Sequence, residues 1–405
     1  MSFQPLAGIR VLDVTTSYAG PFCSELLGAL GADVVKVEAP DGGDAARTWG
    51  PPFWNGQSAI FLSVNAGKRS LAVDLRRGRD VLLRLVDRAD VFLQSLRPGL
   101  AEELGLGPEE LRGRNPRLVY CSIGAFGRVG PWSAQPGFDP LMQAAGGIIS
   151  VTGEPGRPGV RVGVSLVDQG TGMWAAIAIL AALHERERSG QGREVDVSLY
   201  ETALSYLSYH VTGYLGSGDV PRGRGTAFPS IVPYQAFAVS DGQLMVAAAN
   251  DKLFAALAEA IGLPELPADP LFATNPDRVA HREELAEILA DRLATDTRAA
   301  WLERLELAGV PAAPVQDVAE VAEAEQTAAL GILQRLPHPA VPDLVVMAPP
   351  LSADGERVLH QRPAPLHGEH SAEVLAEAGY SEEEIGELAS AGIVRLGQSP
   401  TSSAR

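Results

Sequence analysis

The chain runs to 405 residues, more than one ordinary hydrophobic core accommodates, so two domains are expected. Its residues are 46% hydrophobic and 20% charged, which excludes a disordered chain, and a net charge of −17 excludes a nucleic-acid partner held by a basic surface. The pair Cys23 and Cys121 allows no disulfide framework or CxxC metal spacing; each lies in an apolar run and reads as a small core residue, as expected in a reducing, cytoplasmic compartment. The N-terminus lacks a charged-then-apolar leader pattern, and the apolar run at 173–183 is short for a bilayer span, so no membrane partner is expected.

Taken in chain order, IRVLDV (9–14) is an apolar run bounded by turn residues and predicts a buried strand. PFCSELLGALG (21–31) has helical spacing and closes on Gly31. Strands are predicted at ADVVKVE (32–38), SLAVDLR (70–76), DVFLQS (90–95) and RLVYCSI (117–123), with a helix over 77–88. This alternation implies an α/β fold with a parallel sheet and helices on its faces. Residues 124–167 are rich in Gly and Pro and predict long ordered loops, which in a compact domain usually carry function. A long helix follows over about 169–186, with its apolar face at Met173, Ala176, Ile177, Leu180 and Leu183. GREVDVSLYETAL (192–204) reads as a strand running into a helix.

Residues 213–232, rich in Gly, Pro and Arg, predict a linker between domains. After it, YQAFAVSDGQLMVAAA predicts a hairpin turning at Ser240-Asp241-Gly242, and helices dominate 251–331. The tail is Pro-rich and ends in a helix pair, with Ser371 and Ser381 as expected N-caps and Glu384 completing a capping box with Ser381. The expected division is 1–212 for the N-terminal part of a large domain, 213–232 for the linker, 233–331 for a small α+β domain, and 332–405 for a return segment.

Three regions could carry chemistry. The first helix is entered through TTSYAGP, which has one glycine where a dinucleotide site needs G-x-G-x-x-G; Glu38 imitates a ribose-binding acid, but a nicotinamide enzyme is disfavoured. That turn could still offer helix N-terminal amides to another phosphate. Lys68, Arg69, Arg76 and Arg97 lie near strand ends, either as solvated loop charges or as a nucleotide-phosphate site. The third region is GVSLVDQGTGMWAAIAIL (163–180). Asp168 stands where an N-cap belongs, and Gly170 and Gly172 are unusual in a first helical turn unless something approaches the backbone closely. A carboxylate there would be held ionised by the helix dipole and free amides, and could be either a plain cap or a nucleophile.

Several long stretches bear on that choice: GIRVLDVTTSYAGPFCSELLGALGADVVKVEAP, NAGKRSLAVDLR, SLRPGLAEELGLG, the segment from Gly137 to Leu204, and VPYQAFAVSDGQLMVAAANDKLF. Together they resemble the class III coenzyme A transferases, the family of formyl-CoA and carnitine-CoA transferases and of alpha-methylacyl-CoA racemase, over nearly the whole chain. The resemblance implies a Rossmann-like large domain built from both chain ends, a smaller domain between them, and two chains interlocked as a homodimer. It implies that Asp168, in its D-x-x-T/S-G context, is the catalytic nucleophile of a CoA-transferase. It also implies that CoA lies near Tyr18 and Ala19, Val73, Asp74, Leu75 and Arg76, Ser95, Leu96 and Arg97, and Gly137, Phe138 and Asp139. The substrates would be an acyl-CoA and a carboxylic acid, with no tightly bound cofactor and no metal.

The sequence departs from the family at several points. Gln94-Ser95-Leu96 replaces Glu-Asn-Phe/Tyr, Ala39 stands where some members have arginine, and Gly225-Thr226-Ala227-Phe228-Pro229 replaces Gly-Asn-x-His-Pro. Tyr18 replaces a glutamine of the formyl-CoA transferases, which turns the expectation away from formate and oxalate. The family's racemases carry a histidine in Gly-His-Asp; here Phe138 holds that position and cannot move a proton, which favours transferase over a 2-methylacyl-CoA racemase. A silent CoA-binding protein is the more remote alternative. The donor and acceptor acids are not specified by any residue pattern.

Overall fold

Strands buried on both faces need apolar side chains pointing both ways, and the N-terminal runs supply them. In this computed structural model, which describes residues 3–397, they form β1 (Arg10–Val14), β2 (Asp33–Glu38), β3 (Lys68–Val73), β4 (Val91–Gln94) and β5 (Val119–Gly124), joined by β6 (Glu194–Ser198). These six run parallel, and a short closing strand, Val394–Arg395, pairs antiparallel with β3. Among the described residues the sheet has seven strands in the order closing strand, β3, β2, β1, β4, β5, β6.

The two-residue period of each strand divides the core into two layers. Val11, Val34, Leu93 and Cys121 face one side, where Cys23 and Leu27 of α1 (Ala19–Ala29) pack with them. Leu12, Val35, Leu71, Phe92 and Tyr120 face the other, against Leu82 and Val86 of helix Arg79–Val86 and Val374 and Leu375 of helix Ser371–Glu377. The chain clusters into two units: residues 1–148, 161–218 and 328–405 form the unit containing this sheet, and residues 149–160 and 219–327 form the other.

That division differs from the sequence reading at two places. The segment 149–160 groups with the second unit because its backbone pairs there: Gly225 N donates to Gly153 O at 2.7 Å, and Gly223 lies so close that a Cβ would sit 2.5 Å from the same oxygen. The expected linker start at 213 falls inside a helix, Ser208–Ser217, which ends at Gly218 in the left-handed conformation. The second unit contains the expected hairpin, Tyr234–Val239 with Gly242–Ala247, extended by Ala312–Pro314 into an antiparallel sheet. Helices Asp251–Ala260, Arg282–Leu293 and Arg298–Leu307 cover it through Phe254, Leu257, Leu289 and Trp301.

Other expectations fail for definable reasons. Lys68 and Arg69 are neither solvated nor open to phosphate, because both are buried inside β3. Lys68 Nζ donates to Pro21 O and Asn65 Oδ1 at 2.8 Å each, and Arg69 is ion-paired with Asp33, Glu373 and Glu377. Glu38 is likewise engaged, in a two-point pair with Arg47. Ser371 does not cap its helix; His370 holds that position, and the buried Ser371 Oγ accepts the Ala72 amide at 3.1 Å. Ser381 and Glu384 do form the capping box.

Candidate active site

The long helix, α3 (Leu166–Ser189), starts earlier than its sequence suggests. Ser165 occupies the cap position without a side-chain bond, so Asp168 is the third residue of the first turn and not the cap. The first-turn amides are instead served from outside. Asp139, the first residue of α2 (Asp139–Ala145), is almost fully buried, and its Oδ2 accepts the amides of Val167 at 2.8 Å and Asp168 at 3.2 Å. Gln143, one helical turn beyond Asp139, donates to Asp139 Oδ1 at 2.6 Å and accepts the Val162 amide at 2.8 Å.

This arrangement reverses the expected electrostatics of Asp168. A helix N-terminus lowers a carboxyl's pKa when its amides are free to serve it. Here Asp139 has taken the neighbouring amides. Burial, reinforced by the Asp139 charge, pushes the Asp168 carboxyl up to about 7. Near neutral pH the group is balanced between acid and carboxylate, and among the described residues no cation pairs with its carboxylate form.

The glycines after Asp168 serve packing. A Cβ at Gly170 would lie 1.8 Å from the Tyr206 hydroxyl oxygen, and one at Gly172 would lie 2.6 Å from Ala19 O. What approaches the backbone closely is therefore α1 and the helix Leu199–Tyr206. Gly170 is the fifth residue of α3, so its amide belongs to the helical ladder and is not a free donor.

Close packing at Gly172 also sets which stripe of α3 is buried. Ala175, Ala176, Ile179, Ala182 and Leu183 face the core, whereas Met173, Trp174 and Ile177 are exposed. The expected apolar face was wrong at Met173 and Ile177. The helix is apolar all round, so periodicity does not select a face, and by length and composition it could cross a bilayer, unlike the shorter run read from sequence. Half of its most apolar stretch is inside this unit, as in a core helix.

A cavity of about 980 Å³ opens over the C-terminal ends of the strands. This is where ligands bind in open α/β sheets. Asp168, Tyr18, Ala19, Ser95, Leu96, Arg97, Gly137, Phe138 and Asp139 all line it. Tyr18 caps α1 by position, and its hydroxyl accepts from Gln169 Nε2 at 3.1 Å. Burial raises its pKa. Phe138 is 56% exposed and forms part of the wall, while the Asp139 carboxylate is committed to α3 and Gln143. The amides of Thr16 and Ser17, in the turn considered for phosphate, already donate to Ser95 Oγ and Asp44 Oδ1.

Val73, Asp74, Leu75 and Arg76 are absent from this lining. Val73 is core, and Asp74 receives the amides of Arg76 and Arg77 in a tight turn. Arg76 nevertheless reaches the same carboxylate as Arg97: Glu103 lies 3.9 Å from Arg76 and 2.8 Å from Arg97. Sequence reasoning missed Gln143, Gln169, Trp49 and Arg161. Of these, Gln143 was detectable as the residue four positions after Asp139 on a helix. Gln169 meets Tyr18 from 151 positions away, and nothing in the local sequence marks Trp49 or Arg161 as lining the cavity.

Residues 6–371 match the family model described as CoA-transferase family III. Succinyl-CoA:glutarate CoA-transferase of Mus musculus is 39% identical over 397 residues, covering 97% of this chain and 91% of that protein. Acetyl-CoA:oxalate CoA-transferase of Acetobacter aceti is 38% identical, covering 92% of this chain and 95% of that protein. A CAIB/BAIF family protein from Brucella suis, known from its crystal structure, superposes with a TM-score of 0.84 at 38% identity, covering 93% of this chain and 100% of that one.

Proposed function

The chain belongs to CoA-transferase family III and moves CoA between acyl-CoA thioesters and carboxylic acids, and on that premise we propose that Asp168 is the covalent nucleophile. The observation that carries this reading is the Asp168 carboxyl itself. It lies on the wall of a large cavity, is lifted to about 7 by burial and by Asp139, and among the described residues no cation pairs with it. A structural carboxylate in that setting would be paired. An unpaired, poorly solvated one is a stronger nucleophile once ionised.

The chemistry follows from carboxylate and thioester reactivity. An Asp168 carboxylate oxygen attacks the donor thioester carbonyl, the C–S bond breaks, and CoA leaves as thiolate beside an aspartyl–acyl anhydride. The thiolate attacks the aspartyl carbonyl and expels the donor acid as its carboxylate, which leaves an aspartyl-CoA thioester. The acceptor carboxylate attacks that thioester, and the returning thiolate takes the acceptor acyl group and restores Asp168. Each step exchanges one activated acyl bond for another, so the cycle balances without an external energy source. Phe138 offers no proton to the substrate α-carbon, so an exchange needing a base on each side lacks one partner on this wall.

The CoA phosphates fit the mouth where Arg76 and Arg97 converge, since both are exposed and share one surface carboxylate that an incoming phosphate can outcompete. The working form in this reading is a homodimer. Met173, Trp174 and Ile177 of α3, together with Tyr214 and Leu215 of helix Ser208–Ser217, are exposed apolar groups of the kind that an obligate interface covers. Light scattering at low concentration should give twice 42.6 kDa. A monomer mass would count against the interlocked arrangement.

The decisive experiment is Asp168→Asn. Asparagine keeps the shape and cannot form the anhydride, so transfer should fall by at least about 10⁴-fold with the fold retained. Wild-type enzyme given acyl-CoA should form an adduct that hydroxylamine cleaves, mapping to the peptide holding Asp168. Near-normal turnover by the Asn variant, with no trappable adduct in the parent, would overturn the covalent mechanism.

A further inference from the structure

The tetrahedral centre formed when a carboxylate attacks a thioester carries a negative oxygen, and a helix N-terminus usually offers amides to such a charge. In α3 those amides are taken. Leu166 donates to Val164 O at 2.9 Å, Val167 and Asp168 donate to Asp139, and Gln169 donates to Ser165 O at 3.0 Å. A donor for the oxyanion has to come from another part of the wall.

The start of α1 lies against the face of α3 that bears Asp168. Ala19 O is so close to Gly172 that a Cβ there would sit 2.6 Å from it. Gly172 is one turn beyond Asp168 and shares its face, about 6 Å further along the axis. Tyr18, the residue before Ala19, reaches back along that face: its hydroxyl accepts from Gln169 Nε2 at 3.1 Å, and both Tyr18 and Asp168 line the cavity. The turn that aims Tyr18 has an uncommon shape. Ser17 has a φ of 74°, in the left-handed region that favours glycine. Its amide donates to Asp44 Oδ1 at 3.0 Å, and that of Thr16 donates to Ser95 Oγ at 3.3 Å. Two other segments thus hold a serine in a strained conformation beside the cavity, as happens where a turn serves a site.

Among the described residues nothing accepts the Tyr18 proton, so with Gln169 on an oxygen lone pair the O–H faces no protein partner. Burial raises the phenol's pKa over the opposing effect of the Gln169 bond, and the charges of Glu25, Asp168 and Asp139 add to the rise. Tyr18 therefore keeps its proton in the range where Asp168 ionises.

We infer that the Tyr18 hydroxyl, aimed by Gln169, is a catalytic donor to the carbonyl oxygen of the thioester as Asp168 attacks it. The inference rests on the covalent reading of Asp168 and adds a group that acts in the transition state. The Asp168 oxygen bonds to the thioester carbon, the carbonyl electron pair moves onto oxygen, and the Tyr18 O–H hydrogen-bonds that oxygen without giving up its proton. The pair returns as the C–S bond breaks and CoA leaves as thiolate.

The test uses full-length Tyr18→Phe, which keeps the ring against Phe22, with the acyl-CoA and acid that wild type turns over fastest. kcat should fall about 100- to 1000-fold while KM for acyl-CoA changes by less than about threefold, the split expected of a lost oxyanion donor. The hydroxylamine-sensitive adduct at Asp168 should still form, slowly, so trapping reports the nucleophile separately from the donor. Replacing Tyr18 by 3,5-difluorotyrosine, a more acidic phenol of nearly the same shape, should bring loss of kcat on the alkaline side down to lower pH, which a packing role would not do. A fall in Tyr18→Phe of less than about tenfold, or one confined to KM, would overturn the assignment. A moved acid-side inflection with an unchanged plateau would overturn it too, because the hydroxyl would then serve the Asp168 carboxylate. Ser165→Ala, one turn before Asp168 on the same wall, gives the rival: a fall in kcat there with none in Tyr18→Phe would move the role to the serine. Absence of transfer by wild type to every acid would remove the functional reading and this inference together.

Discussion

Asp13, in β1, and Asp168, in the first turn of α3, are carboxyls of one unit under opposite regimes. Asp13 is fully buried, accepts the Thr15 amide at 2.9 Å and the Ser24 hydroxyl at 2.5 Å, and has Lys68 Nζ at 3.4 Å. Lys36, also fully buried, pairs with Asp44 at 2.7 Å beside it. Burial alone would raise the Asp13 carboxyl, but Lys68, Lys36 and the two hydroxyls outweigh it, and the group falls below its ordinary value. Asp168 meets burial and a like charge, and rises to about 7. Depth does not separate a structural acid from a working one. The presence or absence of a paid counter-charge does.

The sharpest way to break the contrast is to remove each carboxylate and compare stabilities. Asp13→Asn leaves Lys68 buried without its anion and should cost about 3–5 kcal/mol in urea denaturation. The pH dependence has a definite sign. The folded-state value of Asp13 is depressed, so its contribution is present above the unfolded value near 3.8 and is lost as pH falls through the folded value. Asp168→Asn should act the other way. The folded value of Asp168 is raised, so its ionised form weakens the fold above about pH 7 and costs nothing below the unfolded value near 3.8. The Asn variant, inactive as it is, should be roughly 2 kcal/mol more stable than wild type at pH 8 and equal to it near pH 3.5. A loss of stability at pH 8 would mean that Asp168 has a compensating partner after all.

Smaller in size but closer to the chemistry is the pH–rate profile. With Asp168 acting as carboxylate, kcat/KM of wild type should climb about tenfold per pH unit on the acid side and level off above about 7. Asp139→Asn keeps a capping oxygen for Val167 and Asp168 and removes the like charge, so it should move that inflection to lower pH with modest change in the plateau. An inflection that stays fixed in Asp139→Asn would show that burial alone raises Asp168.

The sheet was legible because each parallel strand is a short apolar run between turn residues, and the hairpin at 234–247 because its alternation and Ser240-Asp241-Gly242 turn are local. What escaped was settled by residues far apart in sequence. Lys68 and Arg69 read as loop charges or a phosphate site because Asp13, Asp33, Glu373 and Glu377 are nowhere near them along the chain. The cap of α3 was assigned to Asp168 because Ser165 at the cap position makes no side-chain bond and the carboxylate that serves the first amides, Asp139, arrives from another helix. The buried stripe of α3 could not be chosen because the helix is apolar on every side; contact between Gly172 and Ala19 chooses it. Asp168 stood out locally, before a long apolar helix and beside Gly170 and Gly172, as either a cap or a nucleophile, and the resemblance to the family motif tipped that choice. Its raised pKa depends on the amides Asp139 takes, which no local pattern records.

The short closing strand has a consequence for how the protein is made. β3 emerges early from the ribosome, with one edge satisfied by β2 and the other bare until Val394 and Arg395 arrive. The same strand waits for Ser371, whose hydroxyl meets the Ala72 amide across 299 positions of chain. All of the second unit is translated in that interval. A nascent chain therefore carries an open β-edge, a template for pairing with a neighbouring polypeptide, through most of its synthesis. Sealing that edge is a late step of translation, and ribosomes that stall within the second unit release chains in which it has not occurred.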